Sequence, residues 1–243
     1  MTEATPQLRQ IVFDTETTGM NQGAGPHYLG HRVIEIGCVE MVNRKLTGRT
    51  YHVFIKPDRP VDEEAIEVHG ITDEFLQDKP DFAQIADEFL AFIQGAELIA
   101  HNANFDIGFL DYEFEMLGRT GKVTDHCRVI DTLQLARGKK NKGEIQGNLN
   151  LDALCRFYGI DNSHRTLHGA LLDSEILADV YLYMTGGQTK LVFGSDGDSG
   201  SSDIQRLPSD RVRTRVIRAS SEELNNHNVR MEMVSDAIWF RQS

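Results

Sequence analysis

The sequence predicts an α/β fold in which a mixed sheet of five strands is flanked by helices. The first observation is that, over residues 8–185, short β-branched and apolar segments alternate with longer segments whose apolar residues recur at helical spacing. The second is that three strand-like segments precede the first long helical segment. Strands in succession, followed by strand–helix alternation, favour a sheet that is partly antiparallel and partly parallel.

The strands are predicted from short runs rich in β-branched and aromatic residues. They are IVFD at 11–14, RVIEIGCVEMV at 32–42, RTYHVFIKP at 49–57, ELIAH at 97–101 and CRVIDT at 127–132. A turn at 43–48 joins the second strand to the third. Asp14, His101 and Asp131 fall at strand ends, where the active sites of such sheets gather.

Helices are predicted where apolar residues recur every three or four positions. They are 81–95, 105–118, 150–159 and 168–184. Gly95 and Gly159 end the first and third of these, since glycine accepts the left-handed backbone that follows many helices. The polar, glycine-containing segment 138–148 predicts a surface loop.

The end of the chain differs in composition from the rest. No apolar residue occurs in GSDGDSGSS at 194–202, which predicts a flexible linker. Beyond it, 212–220, 221–234 and 237–240 predict a strand, a helix and a final strand. Because this tail is too short to build a strong core alone, we expect it to dock on a partner.

Composition excludes several classes of protein. The 243 residues contain no apolar run long enough to cross a membrane, and the first ten residues lack the features of a signal peptide. Three widely spaced cysteines predict free core thiols and a cytoplasmic location. A net charge of −12 argues against a broad basic surface for nucleic acid, so tight contact with a polyanion would need a partner protein.

The most informative residues are Asp14 and Glu16 in IVFDTETTG. Side chains alternate along a strand, so both carboxylates point to the same face. Two carboxylates side by side repel each other, and a divalent cation is the obvious compensation. The alternative is a solvated acidic strand end before the turn at Thr18 and Gly19.

Two later motifs supply further polar groups. In HNANFDIGF, Asn102 or Asn104 is expected to cap a helix and to place Asp106 in its first turn, where an acid also has a purely structural use. In LHGALLDSE, His168 and Asp173 are five residues apart, which separates them by about 140° on a helix. We therefore expect His168 just before the helix, as a general base beside a fixed carboxylate.

Together these motifs predict a metal-dependent hydrolase. Carboxylate ligands without cysteine favour the hard ions Mg²⁺ or Mn²⁺. Two such ions are a common means of cleaving phosphodiesters, with His168 accepting the proton of the attacking water. The predicted metal ligands are Asp14, Glu16, Asp106 and Asp173.

DTETTG, HNANFD and HGALLD, in this order and spacing, resemble the three motifs of the DEDDh 3′–5′ exonucleases, and the resemblance covers residues 8–185. It implies a ribonuclease-H-like fold. It also implies direct metal binding by Asp14, Glu16 and Asp173, water-mediated binding of a second metal by Asp106, and His168 as the base. The segment EVHGITDEF at 67–75 is similar to a part of that family that lines the nucleotide pocket. The resemblance makes His69, and Glu64 just before the segment, substrate contacts beside Asp14, Glu16 and Asp173. Asp131 matches an acidic position to which we give a supporting role.

Within that family the chain resembles the proofreading subunits of bacterial DNA polymerase III, through MNQ, VNRKLTG, KPDR, LHGALLD and MTGGQT. The resemblance implies an exonuclease domain at 1–187 that binds DNA 3′ ends and a small theta subunit. It implies a clamp-binding peptide at 188–193, with Gln188, Leu191 and Phe193 as anchors. It further implies a linker at 194–207 and a segment at 208–243 that binds the polymerase alpha subunit.

Two other functions compete with proofreading. The motifs alone do not exclude a free-standing exoribonuclease of the same superfamily, although the linker and docking tail argue against it. A non-enzymatic tether between clamp and polymerase is disfavoured, because the four carboxylates and the histidine are all present.

Overall fold

The structure is a computed structural model that describes residues 8–163, 165, 167–186 and 219–232. The chain divides into two units, 1–191 and 192–243. The first contains a five-stranded sheet in the order β3-β2-β1-β4-β5. Its strands are β1 (Arg9–Thr17), β2 (Val33–Val42), β3 (Lys45–Phe54), β4 (Glu97–Ala100) and β5 (Arg128–Asp131). The first three are antiparallel and β1, β4 and β5 are parallel, so the predicted mixed sheet is confirmed.

Eight helices of the first unit lie within the described residues. They are α1 (Glu63–His69), α2 (Asp73–Leu76), α3 (Phe82–Ile93), α4 (Asn104–Met116), α5 (Val123–His126), α6 (Thr132–Asn141), α7 (Leu151–Tyr158) and α8 (Ala170–Thr185). In the second unit the structure describes α9 (Ser221–Glu232), within the helix predicted at 221–234. None of the described helices is long and apolar enough to span a bilayer.

Strand β1 separates two hydrophobic cores. Ile11 and Phe13 point into the core built with α3 and α4, whereas Val12 points into the core that packs on α8. Continuing this alternation, Asp14 and Glu16 lie on the α8 face of the sheet. Burial on both faces explains why the strand is a continuous apolar run.

The predicted bounds of β3, of the turn before it and of the loop at 138–148 were wrong. Strand β3 begins at Lys45 and ends at Phe54, instead of spanning 49–57, and the turn is only Asn43 and Arg44, with φ of 51° and 65°. A two-residue hairpin with positive φ at both positions matches the twist of the flanking strands. The start of β3 is exposed at the sheet edge, so its sequence lacks an apolar signature. The predicted loop at 138–148 begins only after α6 ends at Asn141.

Other predictions fall partly on residues outside the described part of the chain. The proposed clamp peptide at 188–193, the linker at 194–207 and the predicted strand at 237–240 lie outside it. Within the described part of the chain, Cys38, Cys127 and Cys155 are free and buried, as expected.

Helix α8 approaches the sheet at Gly37 of β2. A Cβ at this position would overlap the backbone of Ala170 and Leu171, and Ser174 Oγ donates a hydrogen bond to the Gly37 carbonyl over 2.8 Å. Gly37 pairs with Asp14 across the β1–β2 ladder. The missing side chain therefore allows the start of α8 to lie beside Asp14.

Replacing Gly37 with alanine should separate α8 from the sheet and cost about 1–3 kcal/mol of unfolding free energy. Gly138→Ala is the matched control, since Gly138 lies inside α6 with open space around it. That change should instead stabilise the protein by about 0.5–1 kcal/mol. Urea denaturation of both variants measures the difference, and an undiminished unfolding free energy for Gly37→Ala would contradict this account of helix packing.

Candidate active site

The predicted acidic residues converge from three elements on one end of the sheet. Strand β1 carries Asp14 and Glu16, the first turn of α4 carries Asp106, and the first turn of α8 carries Asp173. Glu16, Asp106 and Asp173 are buried. His168 lies on the connection before α8, as predicted, and its side chain is about half exposed at 47%.

Glu16, His168 and Asp173 form the tightest part of this cluster. Each offers a potential ligand atom, and these atoms all lie within 4.8 Å of one another. His168 Nδ1 is 3.4 Å from Asp173 Oδ2. The structure therefore brings together residues that are more than 150 positions apart in the sequence.

Asp106 is held from β1. Its Oδ1 accepts hydrogen bonds from the Thr15 backbone N–H over 3.1 Å and from the Thr15 hydroxyl over 2.7 Å. Because Thr15 lies between Asp14 and Glu16, its side chain points to the opposite face of the strand, towards α4. Thr15 thus positions Asp106, a role that the sequence alone did not reveal.

The carboxylates strongly perturb one another's ionisation. Burial, followed by the charges of Asp106, Glu16 and Asp173, raises the pKa of Asp14 well above its ordinary value. Burial and the neighbouring charges of Glu35, Asp173 and Asp106 raise the pKa of Glu16 to about 8. Burial likewise raises the pKa of Asp106 to about 7, against the opposing hydrogen bonds from Thr15. A site that makes protons bind this tightly is also a site for other cations.

Asp173 behaves in the opposite way because of Arg165. Burial acts to raise its pKa, but the adjacent His168 ring and the Arg165 guanidinium lower it overall, Arg165 through its hydrogen bonds and its positive charge. Arg165 Nε donates to Asp173 Oδ1, and its Nη2 donates to Asp173 Oδ2 over 2.7 Å. Sequence reasoning missed Arg165, although a cation three residues before His168 and eight before Asp173 was an available signal.

The donor set fits a divalent cation. Glu16 Oε1 is buried and has no hydrogen-bond partner among the residues that the structure describes. An orphaned carboxylate oxygen of this kind is costly unless a cation binds it. Oxygen donors from acidic side chains suit hard ions.

Two predicted substrate residues, Glu64 and His69, lie on α1. His69 is buried; its Nδ1 accepts a hydrogen bond from the Ile71 N–H over 3.0 Å, and its Nε2 donates to the Thr17 carbonyl over 3.3 Å. Glu64 is exposed and accepts a hydrogen bond from Gln22 over 3.3 Å. Neither belongs to the group of potential ligand atoms formed by Glu16, His168 and Asp173.

The expected capping of α4 by Asn102 or Asn104 was wrong. Asn104 is the first residue of the helix, the capping position is Ala103, and no side chain caps this end. Asn102 instead adopts a φ of 68° and donates its backbone N–H to Asp131 Oδ1 over 3.1 Å. Asp131 also caps α6 by accepting a hydrogen bond from the Leu133 backbone N–H, and its supporting role in the site stays a prediction.

Comparisons with known proteins agree with this fold. The exonuclease family model matches residues 11–181. In solved structures, an Escherichia coli ExoI–ssDNA complex shares the fold with a TM-score of 0.64 and 17% identity, over 75% of this chain and 41% of that one. The nuclease domain of 3′hExo, described as a DEDDh family member, has a TM-score of 0.61 and 17% identity, over 74% and 92%. The fold and the acidic site therefore define a metal-dependent exonuclease.

Similarity to curated proteins extends further along the chain. DNA polymerase III subunit epsilon of Salmonella typhimurium is 56% identical over 240 residues, 95% of each chain. The Escherichia coli K12 protein of the same name is 55% identical over the same span. The chain belongs to the exonuclease family and, within it, to the epsilon subunits of DNA polymerase III.

The metal-free protein should lose stability as the pH rises from 6.5 to about 8, where Glu16 and Asp106 give up the protons that folding favours. The folded-state pKa values are raised, so the folded state binds more protons than the unfolded chain in this window, and unfolding becomes easier with increasing pH. His69, whose pKa burial lowers from 6.5, contributes its opposite effect below this window.

Thermal unfolding between pH 6.5 and 8.5, with and without Mg²⁺, tests this expectation. Saturating Mg²⁺ should reduce the fall in melting temperature with rising pH, because the ion replaces protons as the compensating positive charge. In the absence of metal, Glu16→Gln should also reduce this fall. A melting temperature of the metal-free protein that rises across the window would show that the carboxylates are not strained as described.

Proposed function

We propose that the protein is the proofreading 3′–5′ exonuclease of the replicative DNA polymerase III core, which hydrolyses the 3′-terminal phosphodiester and releases 5′-mononucleotides. The observation that carries this proposal is the convergence of four acidic side chains and His168 at one end of an exonuclease fold. The 55–56% identity to epsilon subunits along 95% of the chain supports the assignment to replication.

In this proposal Asp14, Glu16 and Asp173 hold the metal directly, and Asp106 holds a second ion largely through water. The unpartnered Glu16 oxygen and the raised pKa of Asp14 support the first part. Bound Mg²⁺ or Mn²⁺ ions would neutralise the scissile phosphate and favour ionisation of a water molecule. Thr15 keeps Asp106 aimed at the site by donating two hydrogen bonds to one oxygen.

His168 is proposed to accept the proton of the attacking water. Its half-exposed ring reaches both the carboxylate cluster and solvent, so the proton can leave after each turnover. The His168 backbone N–H donates to the Val68 carbonyl over 3.1 Å, which fixes the connection before α8 against α1. Helix α1 also carries Glu64 and His69, which this proposal makes substrate contacts.

Selectivity for mismatches is proposed to follow from the cost of separating the terminal base pair. A mismatched end frays more easily than a paired one, so it enters the buried site at a lower cost. The chain itself carries a net charge of −12 and is poorly suited to hold a long polyanion. The polymerase and the clamp would therefore keep the DNA near the site.

The proposed domain division assigns residues 1–187 to the exonuclease and to theta binding. Residues 188–193 bind the sliding clamp through Gln188, Leu191 and Phe193, residues 194–207 form a linker, and residues 208–243 bind the alpha subunit. Helix α9 supports a docking role for the last segment, because Leu224 and Val229 are about half exposed at 52% and 50%.

The decisive experiment incubates the purified chain and Mg²⁺ with a 3′-mismatched primer-template, alongside Asp14→Ala. Release of 5′-mononucleotides from the 3′ end by the wild type, and none by the variant, is the expected result. Activity confined to short RNA would instead favour a free-standing exoribonuclease, which the fold alone does not distinguish from a DNA enzyme. The structural relatives include both a DNA-bound exonuclease and one that recognises histone mRNA.

Asp14→Ala or Asp173→Ala should lower the rate of hydrolysis by several orders of magnitude, because each removes a proposed metal ligand.

His168→Ala should lower the rate by about 10²- to 10⁴-fold while largely retaining metal binding, as expected for a general base. Single-turnover rates and calorimetric Mn²⁺ titrations separate the two effects. Equal losses of metal affinity in all three variants would make His168 a ligand instead.

Removing the residues after 187 should leave hydrolysis of short single strands unchanged and abolish stimulation by the polymerase, if the tail docks there. Excision assays with and without the alpha subunit measure this. The two-module division is wrong if the truncated chain is stimulated as strongly as the full chain.

A further inference from the structure

Arg165 contacts two residues of the candidate site directly. Its side chain is only 7% exposed, although it lies on the connection before α8. Besides its two hydrogen bonds to Asp173, its Nη2 lies 2.8 Å from His168 Nδ1, and its Nη1 donates to Asp152 Oδ1 over 2.9 Å. The guanidinium thus contacts one proposed metal ligand, the proposed base and a carboxylate on α7 together.

These contacts compete with a metal ion for the same atoms. A guanidinium has only donors, so His168 Nδ1 and both Asp173 oxygens must accept from it. Glu16, His168 and Asp173 are the residues whose ligand atoms converge within 4.8 Å. Arg165 therefore binds potential metal-ligand atoms of His168 and Asp173, two of these three residues, in the place where a divalent cation would bind.

The charge of Arg165 also extends to the rest of the cluster. It acts on Asp14, Glu16 and Asp173 against the mutual repulsion of the carboxylates. Without such a cation, like charges and low-dielectric surroundings would disfavour the ionised carboxylates more strongly. Arg165 is placed to carry out in the metal-free protein what a bound ion does in the active one.

Asp152 is a third partner of the guanidinium. It lies in α7, its side chain is 41% exposed, and it also accepts a hydrogen bond from Asn162 Nδ2 over 2.8 Å. Arg165 reaches Asp152 through Nη1, whereas Asp173 and His168 use Nε and Nη2. The contact with Asp152 therefore uses a nitrogen that neither Asp173 nor His168 shares.

We propose that Arg165 is a built-in counter-cation: it holds Asp173 and His168 in place before the metal binds, then gives up Asp173 to the metal while Asp152 keeps it beside the site. Because Nη2 of Arg165 contacts both Asp173 and His168, metal binding then also releases the base, His168, from Arg165. This inference rests on the proposed metal site, and it assigns Arg165 a positioning role rather than a chemical step.

Calorimetric titration of Mn²⁺ into the metal-free full-length chain at pH 8 tests the proposal. Arg165→Gln removes the competing cation, so Mn²⁺ should bind about tenfold more tightly, while the melting temperature without metal should fall. Arg44→Gln is the matched control: this guanidinium also binds α8, through Leu182 and Thr185 near the other end of the helix. The control should leave Mn²⁺ affinity unchanged.

An affinity in Arg165→Gln that equals or falls below that of the wild type overturns the proposal. If the glutamine variant does not fold, Arg165→Lys serves the same purpose, since lysine keeps the charge but cannot form the paired contact with Asp173. Its Mn²⁺ affinity should rise by a smaller factor, and an unchanged value is likewise contradictory.

A measurement on the wild type avoids substitution altogether. The Nε–H resonance of Arg165, assigned by its absence in Arg165→Lys, should shift when Mg²⁺ saturates the site, and a resonance that does not move overturns the proposal. Failure of the metal site itself gives a different result, because Mn²⁺ would then bind Asp173→Asn as well as it binds the wild type.

Discussion

The mutual repulsion of buried carboxylates is the constraint on which the rest of this structure depends. Asp14, Glu16 and Asp106 have raised pKa values because burial and their neighbours disfavour their charged forms. An arrangement of this kind persists only when packing elsewhere offsets its cost. Here the offset comes from two hydrophobic cores that pack on the two faces of β1.

Precision in the site comes from backbone contacts more than from the acidic residues themselves. Gly37 lets α8 lie directly on the sheet, and Ser174 ties the helix to the same residue. Thr15 holds Asp106, and Asp131 fixes the backbone at Asn102 ahead of α4. Each contact joins segments that are distant in sequence, so a small displacement of one element would change the spacing of the proposed metal ligands.

The division of the chain into two units gives the proposed function a physical basis. In the proposed function the buried acidic site binds metal ions and a frayed 3′ end, but an acidic protein gains little from long contacts with DNA. A separate segment that docks on a polymerase would supply the missing local concentration of substrate, because tethering makes the second encounter intramolecular. The half-exposed apolar side chains of α9 are consistent with such a segment.

The sequence by itself determined the mixed α/β architecture, the shared face of Asp14 and Glu16, the place of Asp106 in a first helical turn and that of His168 before α8. These follow from periodicity within one strand or helix, which is a local property of the backbone. Only the tertiary structure decided the two-residue hairpin at Asn43 and Arg44 and the close packing of α8 on Gly37. The same holds for the hydrogen bonds from Thr15 to Asp106 and from Arg165 to Asp173. The hairpin depended on an exposed edge strand with little apolar pattern, and the other contacts depended on how packed elements face one another, which no local spacing encodes.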